Sequence, residues 1–333
     1  MRRVVSRLSL SVAAATLALT AAGCAGGSPS PGSTGAEGDG PIKVTVGAVF
    51  TTAAVPLWIA EDQGIFAKHG LEVEITQAPN FASSAPALLS GQMQFANAAT
   101  APMITAVDSD MPLQIVAGVQ AESDDPMNPD DGIVVPAGSD ITRPADLAGK
   151  TIATNAVGSG PYVGVMATVA KDGGNPSDIE WVVMNLNEQI PALENGSIDA
   201  GMVSEPFLVM AERAGFSLAF NIYRVPGVEM VPAGFTDAVL VASNEYVAGN
   251  PDVVKRMYDA MIDANDYAEA NPDVVRDLMV ERLELDPEMA SDINLPAFVG
   301  QVDPEGIQIM VDAMFDLELI DEKLEASTFV WQE

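Results

Sequence analysis

Leu71, Val73 and Ile75 alternate with Glu72 and Glu74, the period-two pattern of a half-buried strand. Ahead of them the apolar run 44–49 predicts a first strand, and Thr51-Thr52-Ala53-Ala54 a small polar turn. Pro56 stands where a first helical turn tolerates proline, residues 57–60 continue the helix, and Gly64 stops it. A strand, a short helix and a strand within about thirty residues make one βαβ unit.

The same alternation continues. Ser83 or Ser84 caps a helix that runs to Leu89, and residues 93–96 form a strand. Residues 97–100 read as a polar loop, with Thr100 and Pro102 opening the next helix. A strand over 113–119 leads to an acidic, proline-bearing loop at 122–131. The apolar run 132–135 reads as a crossing into a second set: strands at 151–154, 181–184 and 198–203, with helices at 162–170, 188–194 and 207–214. The apolar run 237–242 reads as a crossing back. From Asn250 the chain is helical. Asn250-Pro251-Asp252 and Asn271-Pro272-Asp273 each offer an Asn cap, a proline at N1 and an acid in the first turn.

The chain of 333 residues is long enough for two domains, and its 48% hydrophobic content excludes disorder for the bulk. Asp and Glu number 47 against 15 Lys and Arg. Nucleic acid is therefore excluded as a partner, because phosphate binding needs clustered cations. Residues 1–24 read as an export leader, with Arg2, Arg3 and Arg7 ahead of an apolar run too short and alanine-rich for a membrane span. The run ends at Ala21-Ala22-Gly23-Cys24, and Cys24 is the only cysteine. Small residues before a cysteine resemble the bacterial lipobox, which implies acylation of Cys24 and anchoring to the outer face of the cell membrane. Residues 25–40, rich in Gly, Ser and Pro, form a flexible linker spanning roughly 20–25 Å.

The string from Pro56 through Gly64-Ile65-Phe66 to Gly70-Leu71-Glu72-Val73 resembles the ABC-transporter substrate-binding proteins for nitrate, alkanesulfonates, taurine and thiamine-precursor pyrimidines. So do Pro144-Ala145-Asp146-Leu147 before a strand, and Gly196-x-Ile198-Asp199-Ala200 followed by Glu205-Pro206. The resemblance covers 41 to about 270. It implies a type II periplasmic-binding-protein fold, in which two α/β lobes are joined by two crossings and the ligand cleft lies between them. Residues 41–134 and 240–333 are then lobe one, and 135–239 lobe two. The implied role is an extracytoplasmic, monomeric receptor that delivers a small molecule to an ABC permease. The rivals are an enzyme of the pyrimidine-synthesis type and a sensor lipoprotein without transport.

In open α/β sheets, ligands bind beyond the carboxyl ends of the strands. Four loops there are small and polar: Thr51-Thr52, Asn97 to Thr100, Gly158-Ser159-Gly160, and Ser204-Glu205. Trp58 and Tyr162 could wall such a cleft, and Glu205 and Asp237 add acids to it. Ser159, Thr100 and Ser204 could equally be plain helix caps, and Trp58 and Tyr162 plain core. The single histidine, His69, sits at a helix end; no G-x-S-x-G, H-E-x-x-H, P-loop or EF-hand pattern occurs, so neither catalysis, a cofactor nor a metal is expected. The four loops hold hydroxyls, an amide and backbone N–H groups but no Lys or Arg. That favours a neutral or cationic nitrogen-bearing solute, such as a thiamine-precursor pyrimidine, over an alkanesulfonate held by the Ser159 and Thr100 helix starts.

Overall fold

Val44, Val46 and Ala48 line the buried face of β1 (Ile42–Ala48). A 3-10 turn at Thr52–Ala54 follows, then α1 (Val55–Asp62) with Pro56 in its first turn. Gly64, at φ 63°, allows the sharp change of direction into α2 (Ile65–Lys68), and β2 (Leu71–Gln77) returns parallel to β1 with Ile42 opposite Leu71. The expected βαβ opening is therefore present. The computed structural model describes residues 40–332 apart from 124, 126 and 127. The leader, Cys24 and the linker up to residue 39 lie outside the described residues.

The chain continues through α3 (Phe81–Leu89), β3 (Phe95–Ala99), α4 (Thr100–Asp108) and β4 (Leu113–Ala121). It then runs through β5 (Asp131–Val135), β6 (Thr151–Thr154), α5 (Gly160–Lys171), β7 (Glu180–Val183) and α6 (Leu186–Glu194). After β8 (Ala200–Ser204), α7 (Phe207–Arg213), β9 (Ser217–Asn221) and β10 (Thr236–Ser243), the chain is helical. These last helices are α8 (Asn244–Gly249), α9 (Pro251–Ala270), α10 (Pro272–Leu283), α11 (Pro287–Asp292) and α12 (Pro304–Asp316). No helix among the described residues is long and apolar enough to cross a membrane.

Two five-stranded sheets result, in the orders β2-β1-β3-β10-β4 and β7-β6-β8-β5-β9. They share one plan. β1 pairs parallel with β2 and β3, as β6 does with β7 and β8, and then one antiparallel strand is inserted. That strand is β10 in the first sheet and β5 in the second. The crossings expected at 132–135 and 237–242 are thus these inserted strands themselves, and 131–134 belong to the second sheet and 236–239 to the first. The runs are apolar because an interior strand is covered on both faces; all five residues of β5 are buried. The chain passes between sheets at 122–130 and again at 222–235.

Three local expectations are corrected. Residues 97–99 belong to β3 rather than a loop, because they pair with β10. The cap of α3 is Asn80, whose Oδ1 accepts from Ser83 N at 2.9 Å, so the helix starts two residues before Ser83. Neither Asn250 nor Asn271 caps the helix it precedes. Each donates its side-chain amide backwards, to Tyr246 O at 3.1 Å and Tyr267 O at 2.8 Å. A helix ends immediately before each of them, and its last carbonyls lack intrahelical donors.

The apolar stripe of α9 (Val253, Val254, Met257, Met261) is buried in the same core as Leu57, Trp58 and Ile59 of α1. His69, expected at a solvated helix end, pairs its Nε2 with Asp263 Oδ2 of α9 at 2.7 Å.

Candidate functional site

β4 and β10 lie side by side in the first sheet, and the crossings leave or enter at their ends. Gln120, the penultimate residue of β4, is buried and joins three segments. Its Oε1 accepts from the Thr52 hydroxyl at 2.9 Å. Its Nε2 donates to Asp237 Oδ2 at 3.1 Å and to Asp130 Oδ2 at 3.4 Å. Asp131 follows as the first residue of β5, where it pairs with Ser204 at the end of β8, and the Ser204 hydroxyl donates to its Oδ1. Glu205 N donates to Asp130 O at 2.8 Å. Glu122, fully buried, completes a group of four carboxylates. One oxygen from each of Glu122, Asp130, Asp131 and Asp237 lies within 4.8 Å of the others.

Burial disfavours the charged form, and neighbouring carboxylates disfavour it further. Burial first, then Asp130, Asp237 and Asp131, push the Glu122 carboxyl well above the usual range; Arg224 opposes them. Asp130 is raised in the same way by burial, Asp131 and Asp237. Burial takes Asp131 to about 6 against the Ser204 hydrogen bond. Asp237 reaches about 7 through burial and Asp131, with Gln120 opposing. Glu205 also reaches about 7 through burial. Its Oε1 accepts from Asn294 N at 3.0 Å and its Oε2 from Val209 N at 3.2 Å, and both bonds favour the charged form. Arg224 donates to Ser123 O at 2.8 Å beside the cluster. Other bases pair with acids elsewhere: Arg143 with Asp172, Lys150 with Asp140, Arg213 with Asp292 and Arg282 with Asp62.

Of the residues expected from the sequence, Thr52, Ser204, Glu205 and Asp237 enter this network. Thr51 is exposed beside Thr52 and makes no side-chain cap. Ser159 caps α5 by accepting from Tyr162 N at 3.3 Å. A Cβ on Gly160 would lie 2.7 Å from the Tyr223 hydroxyl, so glycine is what lets that ring approach. Gly158, at φ 78°, borders a separate cavity of about 510 Å³ lined mostly by apolar side chains of α3, α4 and α12. The remaining side chains are engaged elsewhere. Trp58 is 1% exposed and meets Phe50 edge-on at 5.1 Å. The Tyr162 ring packs 4.7 Å from Trp181. Asn97 Oδ1 accepts from Val49 N at 2.8 Å, which ties β3 to the loop after β1. The Thr100 hydroxyl donates to Thr236 O at 2.8 Å. Sequence reasoning did not single out Gln120, Glu122, Asp130 and Asp131. The only signal was the acid-rich loop 122–131 itself, directly between two apolar strands.

The family described as NMT1/THI5 like matches residues 51–274, most of the described chain. The chain belongs to that family. The resemblance read from the opening βαβ unit is thereby shown, and proteins of similar sequence or structure include periplasmic binding proteins for taurine, sulfonates and nitrate. The taurine-binding periplasmic protein of Escherichia coli is 28% identical over 224 residues, a match spanning 67% of this chain and 65% of that one. The solved periplasmic aliphatic sulphonate binding protein of Escherichia coli superposes with a TM-score of 0.73 at 17% identity, covering 88% of this chain and 98% of that one. The periplasmic nitrate-binding protein of Synechocystis superposes at 0.66 with 15% identity, covering 87% and 86%. The expected type II periplasmic-binding-protein architecture is therefore the fold of this NMT1/THI5-like chain. These relatives are binding proteins rather than enzymes.

Proposed function

We propose that the chain is the extracytoplasmic solute-binding component of an ABC importer, a monomer that captures a nitrogen-bearing small molecule and delivers it to a membrane permease. Membership of the family and the shared fold support the receptor role. The solute class rests on one observation: where the two sheets meet, the polar lining is carboxylate-rich, and Arg224, the base that opposes the raised Glu122 pKa, donates to Ser123 O. A sulfonate or nitrate usually needs a positive side chain or several free donors. A solute amine or ring N–H needs acceptors, and Glu205, Asp237 and Thr52 provide them. A thiamine-precursor pyrimidine is the leading example.

A second reading, taurine or an alkanesulfonate, is favoured by what the relatives are named for and by Ser159 at the start of α5. Thr100 supports it less, since its hydroxyl is committed to Thr236 O.

Calorimetric titration of the purified protein against an aminopyrimidine and against taurine separates the two. The expected result is saturable aminopyrimidine binding that Glu205→Gln weakens about tenfold or more, the scale of one charged hydrogen bond. Tight taurine binding without a pyrimidine response would overturn the nitrogen-solute reading and leave the receptor role standing. Anchoring through Cys24 is part of the proposal. Cys24→Ser should release the protein from the membrane fraction, and full retention would sink that part.

A further inference from the structure

The four carboxylates come from both crossings. Glu122 and Asp130 lie on the first, Asp131 opens β5, and Asp237 follows the second by one residue of β10. Oxygen ligands sit about 2.3–2.6 Å from a calcium ion, so opposite ligands are roughly 5 Å apart. The 4.8 Å within which these four oxygens fall is the size of one such coordination sphere.

The pattern of engaged oxygens separates this group from an ordinary acidic patch. Gln120 holds Oδ2 of Asp130 and of Asp237, and Ser204 holds Oδ1 of Asp131. Oδ1 of Asp130, Oδ1 of Asp237 and both oxygens of Glu122 are buried without a hydrogen-bond partner. Glu122 is 0% exposed, so bulk solvent does not reach it. Leaving a carboxylate buried and unpaired costs several kcal/mol, and the one basic side chain that opposes the raised Glu122 pKa is Arg224. Asp130 and Asp237 are each gripped by one oxygen while the other is offered, which is how outer partners orient metal-ligating carboxylates.

We propose that Glu122, Asp130, Asp131 and Asp237 form a binding site for a hard divalent cation, calcium foremost, with Gln120 and Ser204 as positioning residues. The donor set is all oxygen, which suits calcium rather than zinc or copper with their preference for nitrogen and sulfur. Magnesium retains its waters and seldom accepts an all-carboxylate cage. The site does not require the nitrogen-bearing solute, and the two readings compete for Asp237, which a bound cation would occupy in place of a solute amine. The ion does bear on the solute class, since a bound cation would give a sulfonate the positive charge that the loops lack.

The test is a titration of calcium chloride into chelator-treated, purified protein with no solute present. Terbium serves as a second probe, its emission sensitised through Tyr223, which is buried close to the same four carboxylates. One saturable site with a Kd tighter than about 1 mM is expected, with terbium emission that calcium displaces. Glu122→Gln should weaken calcium binding at least tenfold and Gln120→Ala about tenfold. Asp312→Asn, at a surface acid paired with Lys323, should leave it unchanged. The wild-type heat and emission decide the matter even if a variant fails to fold. No saturable calcium heat and no terbium emission, or unaltered affinity in a folded Glu122→Gln, would overturn the site. Methylammonium binding in place of calcium, lost in Glu122→Gln, would also overturn it and assign these oxygens to a solute amine. Failure of the aminopyrimidine titration alone would not touch it.

Discussion

Glu205 ends its turn with both carboxylate oxygens bonded to backbone N–H groups, yet burial still raises its pKa from 4.5 to about 7. Between those values the folded chain holds this proton more firmly than the unfolded chain. The stability that protonation brings is complete below about pH 4.5 and is lost as pH rises through about 7. With its partial exposure allowed for, the swing is on the order of 2 kcal/mol, a few degrees in Tm. Glu205→Gln removes this titration but also one backbone acceptor. Its Tm relative to the parent should therefore improve between pH 5 and pH 8, whatever the offset at pH 5. A constant difference across that range would show that Glu205 does not titrate with a raised pKa. Much of the site was hidden at this scale for one reason. A run such as Glu122 to Asp131 reads by default as a solvated loop, and only the meeting of two distant crossings buries Glu122, Asp130 and Asp131 within it. Ser204, Glu205 and Asp237 were legible because they stand at strand ends or beside prolines. Trp58 and Tyr162 were not separable from core aromatics, since bulk and hydrophobicity are the same signal for both uses.

At the scale of elements, period-two and glycine-punctuated patterns located most strands and helices within a few residues. They failed where an apolar run could be either a connection or an interior strand, as at 132–135 and 237–242. The short β9 also went unread. β4 shows another property that no pattern announces. The segment 297–300 lies across it, with Gly118 N donating to Gly300 O at 2.7 Å and Ala121 bridging Ala297. A Cβ on Gly118 would fall 2.1 Å from the Val299 carbonyl oxygen and 3.2 Å from Thr236 Cγ2. The first of these is backbone and cannot rotate away. Gly118→Ala is expected to cost about 1–3 kcal/mol or more and to lower Tm by several degrees in a thermal melt. An unchanged Tm would mean that the 297–300 segment is not held against β4.

For the whole molecule, the two sheets carry the same plan of three parallel strands and one inserted antiparallel neighbour. The acidic network sits where the connections between them pass, so any change in how the sheets are placed would alter the spacing of Glu122, Asp130, Asp131 and Asp237. Thr52 and Gln120 belong to the first half and Ser204 to the second; Gln120 bonds Thr52, Asp130 and Asp237, Ser204 bonds Asp131, and the Asp130–Asp131 peptide joins the two sets. A ligand held there would touch both halves at once.

The exchange of strands also bears on how the chain folds. β3 and β4 are consecutive in sequence but are not neighbours in the sheet, because β10 lies between them. The first sheet is therefore incomplete until residue 243 has been synthesised and placed, although its other four strands are finished by residue 121. β3 and β4 must wait more than a hundred residues for the partner whose backbone pairs with both. Pairing at such separation brings a large loop-closure cost before any contact rewards it, and so slows folding.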